Sequence, residues 1–373
     1  FIGYQRKEFR FDRRFLALFG GTRSQLRHAI ETGVTMLPGN CYFRLDQESR
    51  KAVLENLRAQ LRGSFAQKAS ELRALAQQTG GRPSLSRFLE ETGYEPEDVF
   101  SDKEQGWHSL LHEAGLLHAA PSHGALTSQF RFLLHVDSVS RLALYARLLE
   151  QGGEPAGEAE RRMAAMLTLQ LLQQAARSAP ELEGLHRLQK SEGARQELLE
   201  LLEALRARVK THSDEIPWRE ECPLHLHRRY SRREVFAALG KTAKAWSWQA
   251  QEGCFRIDEM NAEVLFVTLD KSGKSFSPTT RYEDFAVSRT RFHWQSQGKT
   301  TPESPAGQRY IRQREQGTSF LLLVRATKKD AFVYLGPVKY VSHSGSRPMS
   351  IYWDLEQPMP AWYFEVCAAL RAA

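Results

Sequence analysis

The feature that most constrains this chain is a single change of hydrophobic period near residues 212–217. Upstream of it, apolar residues recur at three- and four-residue spacing, as in Val53, Leu54, Leu57 and Leu61, the stripe that an amphipathic helix buries. Such windows cover residues 22–32, 46–61, 65–78, 84–92, 107–117, 126–151, 158–178 and 192–210, punctuated by Gly-Gly, Pro and Gly-Glu-Pro. Downstream, after a helical window at 230–239, short apolar or alternating runs take over at 263–269, 282–288, 292–297, 320–326, 332–341 and 350–355. These are strand lengths at hairpin spacing. The segment Asp270-Lys271-Ser272-Gly273-Lys274 reads as a tight turn between two of them, and Ser344-Gly345-Ser346 as another. The expected class is α+β: an all-helical connector over 22–212, then a β-rich domain over 218–373, built as a curved sheet or a partly closed barrel.

Charge follows the same division. The net charge of +8 separates into about +6 over residues 1–62, −5 over 63–217 and +7 over 218–373. Basic segments on either side of an acidic one suit a polyanionic partner, because Lys and Arg release the counterions condensed on a phosphate backbone. No apolar run approaches the roughly 18 residues a membrane span needs, so no membrane partner is expected. Four scattered cysteines, Cys41, Cys222, Cys254 and Cys367, favour a reducing compartment, and a cytoplasmic location is expected. The chain begins at Phe1 without a signal-peptide pattern, which suggests an internal piece of a longer protein.

Several constellations of residues bear on chemistry. Gly273-Lys274-Ser275 looks like the end of a phosphate-binding loop, but the glycine that motif requires five positions earlier is Thr268, and a turn accounts for it better. Cys222, His225 and His227, with Cys254 as a fourth, offer ligands zinc accepts at an irregular spacing, and no metal site is expected. A magnesium nuclease of the restriction type needs an acid on one strand and an acid or Gln two residues before a Lys on the next. Asp284 followed by Gln297-Gly298-Lys299 can be read so, with Glu283 or Glu303 in reserve, although Gly298 is awkward inside a strand. The densest polar and aromatic stretch runs from Ser277 to Phe285 and resumes at 292–297. Amides read base edges, rings stack on bases and guanidinium groups hold phosphates, so Arg281, Arg309, Arg325 and Arg347 are candidate phosphate contacts. Tyr282, His293, Trp294, Gln295 and Gln297 are candidate base contacts. The loop at 340–349 adds His343 as a donor beside Arg347.

The same residues carry a family resemblance. Leu224-His225-Leu226-His227-Arg228-Arg229-Tyr230, Phe276-Ser277-Pro278-Thr279-Thr280-Arg281-Tyr282-Glu283-Asp284-Phe285, Phe292-His293-Trp294-Gln295-Ser296-Gln297, Gly307-Gln308-Arg309-Tyr310-Ile311 and Tyr334-Leu335-Gly336-Pro337 resemble the domain of unknown function 3427. The resemblance runs from about residue 224 to 361. It implies the C-terminal part of a bacterial DEAD/DEAH-box helicase of superfamily 2, in company that often includes a phospholipase D like nuclease domain. Residues 1–21 then look like the tail of the second motor lobe. The motor lobes would lie upstream and supply ATP and magnesium; this stretch carries no cofactor of its own. The function implied is the nucleic-acid-binding region of an ATP-dependent DNA helicase or translocase in a restriction or phage-defence system. The alternatives are the nuclease at Asp284, Gln297 and Lys299, and a protein-docking module that joins motor to nuclease.

Overall fold

The computed structural model describes residues 35–37, 41–43, 63–100, 106–122, 124–209, 216–241, 253–270 and 283–372. The helical windows at 22–32 and 46–61, the first 21 residues, most of the 270–274 turn, and Arg281 and Tyr282 lie outside them. The described residues fall into two compact units: those up to Leu134 together with Leu188–Arg208, and His135–Arg187 together with those from Val209 on.

In the first unit, strands β1 (Thr35–Leu37) and β2 (Cys41–Phe43) pair antiparallel. They are the only strands among the described residues of the first unit, whose other elements are helices. The helices begin where hydroxyl caps sit. The Ser64 side chain accepts from the Gln67 amide at the start of α1 (Phe65–Thr79), and Ser84 does the same at α2 (Leu85–Thr92). Both stop at glycines in the left-handed region, Gly80 and Gly93. The acidic turn forms a short helix α3 (Pro96–Val99), followed by α4 (Trp107–Glu113) and α5 (Gly124–Thr127). Buried Glu197, on the long helix α9 (Glu192–Arg208), accepts from the His108 amide at 3.1 Å and from the Thr127 hydroxyl at 3.2 Å, fixing α9 to α4 and α5. The Trp107 indole N–H donates to Glu200 at 2.6 Å, and paired in this way the carboxylates satisfy donors that burial would otherwise strand.

Between α5 and α9 the chain forms α6 (Val139–Gln151), α7 (Gly157–Leu172) and α8 (Glu183–Lys190). Helices α6 and α7 belong with the sheet. A short ribbon of β3 (Pro217–Arg219) and β4 (Cys222–His225) leads to β5 (Arg229–Tyr230) and α10 (Arg232–Ala238), which starts with a capping box between Ser231 and Glu234. Helix α7 packs on α10 and β4. Fully buried Arg141 of α6 pairs with fully buried Glu234 of α10 and donates to the Arg229 carbonyl at 3.2 Å, while His135 meets the other oxygen of Glu234 at 2.5 Å.

The remaining strands are β6 (Cys254–Ile257), β7 (Ala262–Thr268), β8 (Phe285–Ser288), β9 (Arg291–Gln295), β10 (Ser319–Arg325), β11 (Phe332–Ser344) and β12 (Ser350–Leu355). They form one sheet in the order β6-β7-β10-β11-β12-β9-β8, with β5 paired to the start of β11. The sheet is open, with β6 and β8 at its ends, so of the two forms expected from sequence the barrel does not occur. Strand β7 does not turn back on the next strand; it runs parallel to β10, from Ala262 opposite Ser319 to Thr268 opposite Arg325. The sequence signals for this were the unbroken apolar cores of both strands, VLFV and FLLLV, which are what a strand covered on both faces needs.

One face of β7 and β10 packs with Tyr310 of α11 (Pro305–Ile311) and with Tyr363 and Cys367 of α13 (Ala361–Ala372); Phe320 and Trp353 have ring centres 4.8 Å apart in this core. The other face meets Phe236 of α10, whose ring lies 6.0 Å from Phe266. Where β11 runs past the end of β10, the buried Gln313 side chain of α12 (Gln313–Gln316) takes over the pairing. Its amide donates to the Val338 carbonyl and accepts from the Tyr340 amide, each at 2.6 Å. The half of the sheet formed by β8, β9 and β12 differs: along β12, Ile351, Trp353 and Leu355 are buried while Ser350, Tyr352 and Asp354 are half-exposed. Its alternation marks one covered face and one face turned to solvent.

Candidate nucleic-acid interface

Antiparallel order brings four chain segments to one end of this half-sheet: the start of β8, the end of β9, the end of β11 and the start of β12. Two loops leave from there, and backbone bonds stitch them together. Ser296 donates its amide to the Met349 carbonyl, and the Met349 amide donates to the Ser296 hydroxyl, both at 2.9 Å; the Arg347 amide donates to the Thr300 carbonyl at 3.1 Å. Thr300 in turn donates to the Gln297 carbonyl at 2.9 Å and closes a turn over Gln297, Gly298 and Lys299. Arg347 takes a φ of 61°, in the left-handed region where a side chain other than glycine is uncommon.

Helix α11 approaches this turn closely. A Cβ at Gly307 would lie 2.0 Å from the Thr301 carbonyl oxygen, so only glycine permits the contact. Ser304 caps α11 and exchanges hydrogen bonds with Thr301, which fixes the far side of the same turn. The side chains that emerge from the stitched loops are exposed: Gln297, Lys299, Ser344, Ser346 and Arg347. Neither Lys299 nor Arg347 has a carboxylate partner among the described residues.

The sequence-derived candidates separate into distinct places. Gln297, His343 and Arg347 lie at this end of the sheet. Gln295 lies there too, but its carbonyl oxygen accepts from the Glu283 amide at 2.8 Å and its NH2 donates to the Ser350 hydroxyl at 3.4 Å. His293 uses Nδ1 on the Glu283 carbonyl at 2.7 Å and sits against Phe285 and Tyr352, with ring centres 4.5 and 5.0 Å away. The Tyr340 hydroxyl meets Nδ1 of His343 at 2.6 Å. Trp294 is not at the surface: strand parity turns it into the core, edge-on to Tyr310 at 5.5 Å. Arg309 is held on buried Glu263, which also takes Arg256 at 3.4 Å. Arg325 lies over the Phe332 ring at 4.4 Å and donates to the Thr268 hydroxyl at 2.9 Å.

The residues of the nuclease pattern lie near one another without forming its geometry. An Asp284 oxygen accepts from the Gln295 amide at 2.8 Å, and Gln297 and Lys299 follow the end of β9 on an exposed turn instead of lying on the strand. Among the described residues no three His, Cys, Asp or Glu side chains converge as a metal would require. Burial pushes the Cys222 thiol up to about 12, and burial together with Arg228 and Arg289 pulls His227 down to about 4, so near neutral pH the thiol is protonated and the imidazole neutral. No described helix is long and apolar enough to cross a membrane.

Residues 224–366 match the family model of the Domain of unknown function (DUF3427), close to the span over which the sequence motifs resemble it. No curated protein matches the chain.

Proposed function

We propose that this chain is the C-terminal region of an ATP-dependent DNA helicase or translocase of a restriction or phage-defence system, and that its sheet-bearing unit holds DNA. The motor lobes that use ATP and magnesium, and a nuclease domain, would be its covalent or docked neighbours in the cytoplasm. The observation that carries the DNA contact is the pair of exposed cations, Lys299 and Arg347, on two loops locked to each other. Elsewhere in the same unit Arg141, Arg291 and Arg309 are each committed to a carboxylate. Exposed cations on braced loops, without a carboxylate partner among the described residues, suit phosphates, and the excess of about +7 over residues 218–373 supplies the longer-range attraction.

The experiment is a titration of the full chain against fluorescent duplex and single-stranded DNA at two salt concentrations. Affinity should fall steeply as salt rises. Absence of binding at low salt would overturn the proposal in favour of a docking role.

A further inference from the structure

We propose that the other end of the half-sheet carries a second site, for phosphate or for the terminal phosphate group of a small molecule, formed by His227, Arg228 and Arg289. It goes beyond the DNA-binding reading and does not depend on it. Two turns supply the site, the one after β4 and the one between β8 and β9. His227 takes a φ of 62°, in the left-handed region where a residue with a Cβ is uncommon, and its amide donates to the Tyr334 carbonyl at 2.7 Å. The next residue, Arg228, is buried, and its carbonyl accepts from the Tyr334 amide at 3.0 Å, so β11 pins both residues. Arg289 is pinned to the segment that leads into α13. Its Nε donates to the Met359 carbonyl at 2.8 Å, and its own carbonyl accepts from the Met359 amide at 2.7 Å.

Within this frame the Nε2 atom of His227 is buried and has no hydrogen-bond partner. Folded proteins rarely leave a buried nitrogen so, and where they do, a water, an ion or a ligand meets it. Charge decides among these. Burial and the guanidinium charges of Arg228 and Arg289 keep the ring neutral near neutral pH, and so positive a setting repels a metal ion and draws an anion. Asp137 answers part of this charge, but it accepts from the Arg229 amide at 2.8 Å and lies 4.0 Å from Nε of Arg229. Arg289 is exposed and has no carboxylate partner among the described residues. Guanidinium groups from two turns, with an imidazole N–H beside them, suit the three free oxygens of a terminal phosphate. The buried position of Nε2 favours a phosphate at the end of a molecule over one bridged between two sugars in a duplex. Lys299 and Arg347 lie at the opposite end of the same strands, so the two sites do not share a phosphate.

The test is calorimetric titration of the full chain with inorganic phosphate, adenosine monophosphate, and sodium chloride at matched ionic strength. The ring signals of His227 are followed by NMR and assigned by their loss in His227→Gln. Phosphate should saturate and shift those signals, and chloride should do neither. Arg289→Gln, at an exposed side chain, should weaken binding about tenfold or more. Arg314→Gln, which removes an exposed cation elsewhere in the same unit, should leave it unchanged, and unaltered thermal melting shows that both variants fold. Mononucleotide binding at least as tight as that of phosphate identifies a phosphorylated small molecule as the ligand, and weaker binding identifies free phosphate. No saturation, or equal affinity in Arg289→Gln and the parent, would mean that a water or an adventitious ion only meets Nε2, and would overturn the inference. Displacement of phosphate by duplex DNA would overturn it as well, by making the site part of the DNA surface.

Discussion

At the residue scale the sheet-bearing unit is organised by one buried carboxylate. Burial alone would raise the pKa of Glu234, yet the Arg141 charge, His135 and the Ser231 amide hold it down at about 2, against an ordinary 4.5. Because the folded state resists protonation that the unfolded chain accepts, this contribution is fully present above about pH 4.5 and is lost as pH falls through 2. It amounts to roughly 3 kcal/mol at most. Chemical unfolding at a series of pH values should therefore show stability dropping between about pH 5 and pH 2, and Glu234→Gln should flatten that part of the profile while lowering the plateau. An unchanged slope in the variant would mean that other carboxylates carry the effect. None of this was visible from residue types: Arg141 and Glu234 are 93 positions apart, and charged residues in helical windows read as solvated. Trp294 shows the opposite failure. Its neighbours His293 and Gln295 suggested a recognition cluster, but alternate residues of a strand face opposite ways, and knowing which way required the partner strands.

At the scale of elements, period and punctuation carried most of the information. The windows at 65–78 and 84–92 correspond to α1 and α2 within a residue or so, and the six strand windows each overlap a strand. What the sequence concealed were mostly elements too short or too mixed to show a period: strands β1 to β6 and helices α3, α8, α11, α12 and α13, although Ser304-Pro305 is a helix-start signal that stood in plain view. Helix α11 also gives a sharp test of how the candidate interface is braced. Gly307→Ala places a methyl group against the Thr301 carbonyl, a backbone atom that cannot swing aside, so helix and turn must part. The variant should lose about 1–3 kcal/mol of stability and bind DNA more weakly, because the turn that presents Lys299 is displaced. Thermal melting and the duplex titration read the two effects. Loss of stability with affinity unchanged would show that α11 does not position the turn.

At the scale of the whole molecule, the division of the chain is not where the period changes. Residues 135–187 read as helix and look continuous with the windows before them, but α6 and α7 supply the partners of α10 and β4. The change of period at 212–217 reports where strands begin; it carries no information about which helices cover them. A fragment of residues 216–372 therefore keeps Glu234 and discards Arg141 and His135. Leaving one member of a buried pair alone costs about 3–5 kcal/mol, before the bared face of α10 is considered, against a total stability of about 5–15 kcal/mol for a typical domain. That fragment should lack a cooperative melting transition, whereas residues 135–372 should show one. Cooperative melting of the shorter fragment at the same temperature would place the independent unit at the change of period after all.

The parallel pairing of β7 with β10 also sets the order in which the sheet can be assembled. Its partners lie 57 positions apart at Ala262 and Ser319, whereas the β8–β9 and β11–β12 hairpins bring together neighbours in the chain. Local pairs close within microseconds, but a central pairing across so long a loop must wait until its second strand has been made and found. On the ribosome β7 emerges well before β10, so its apolar VLFV core spends that interval without its central partner.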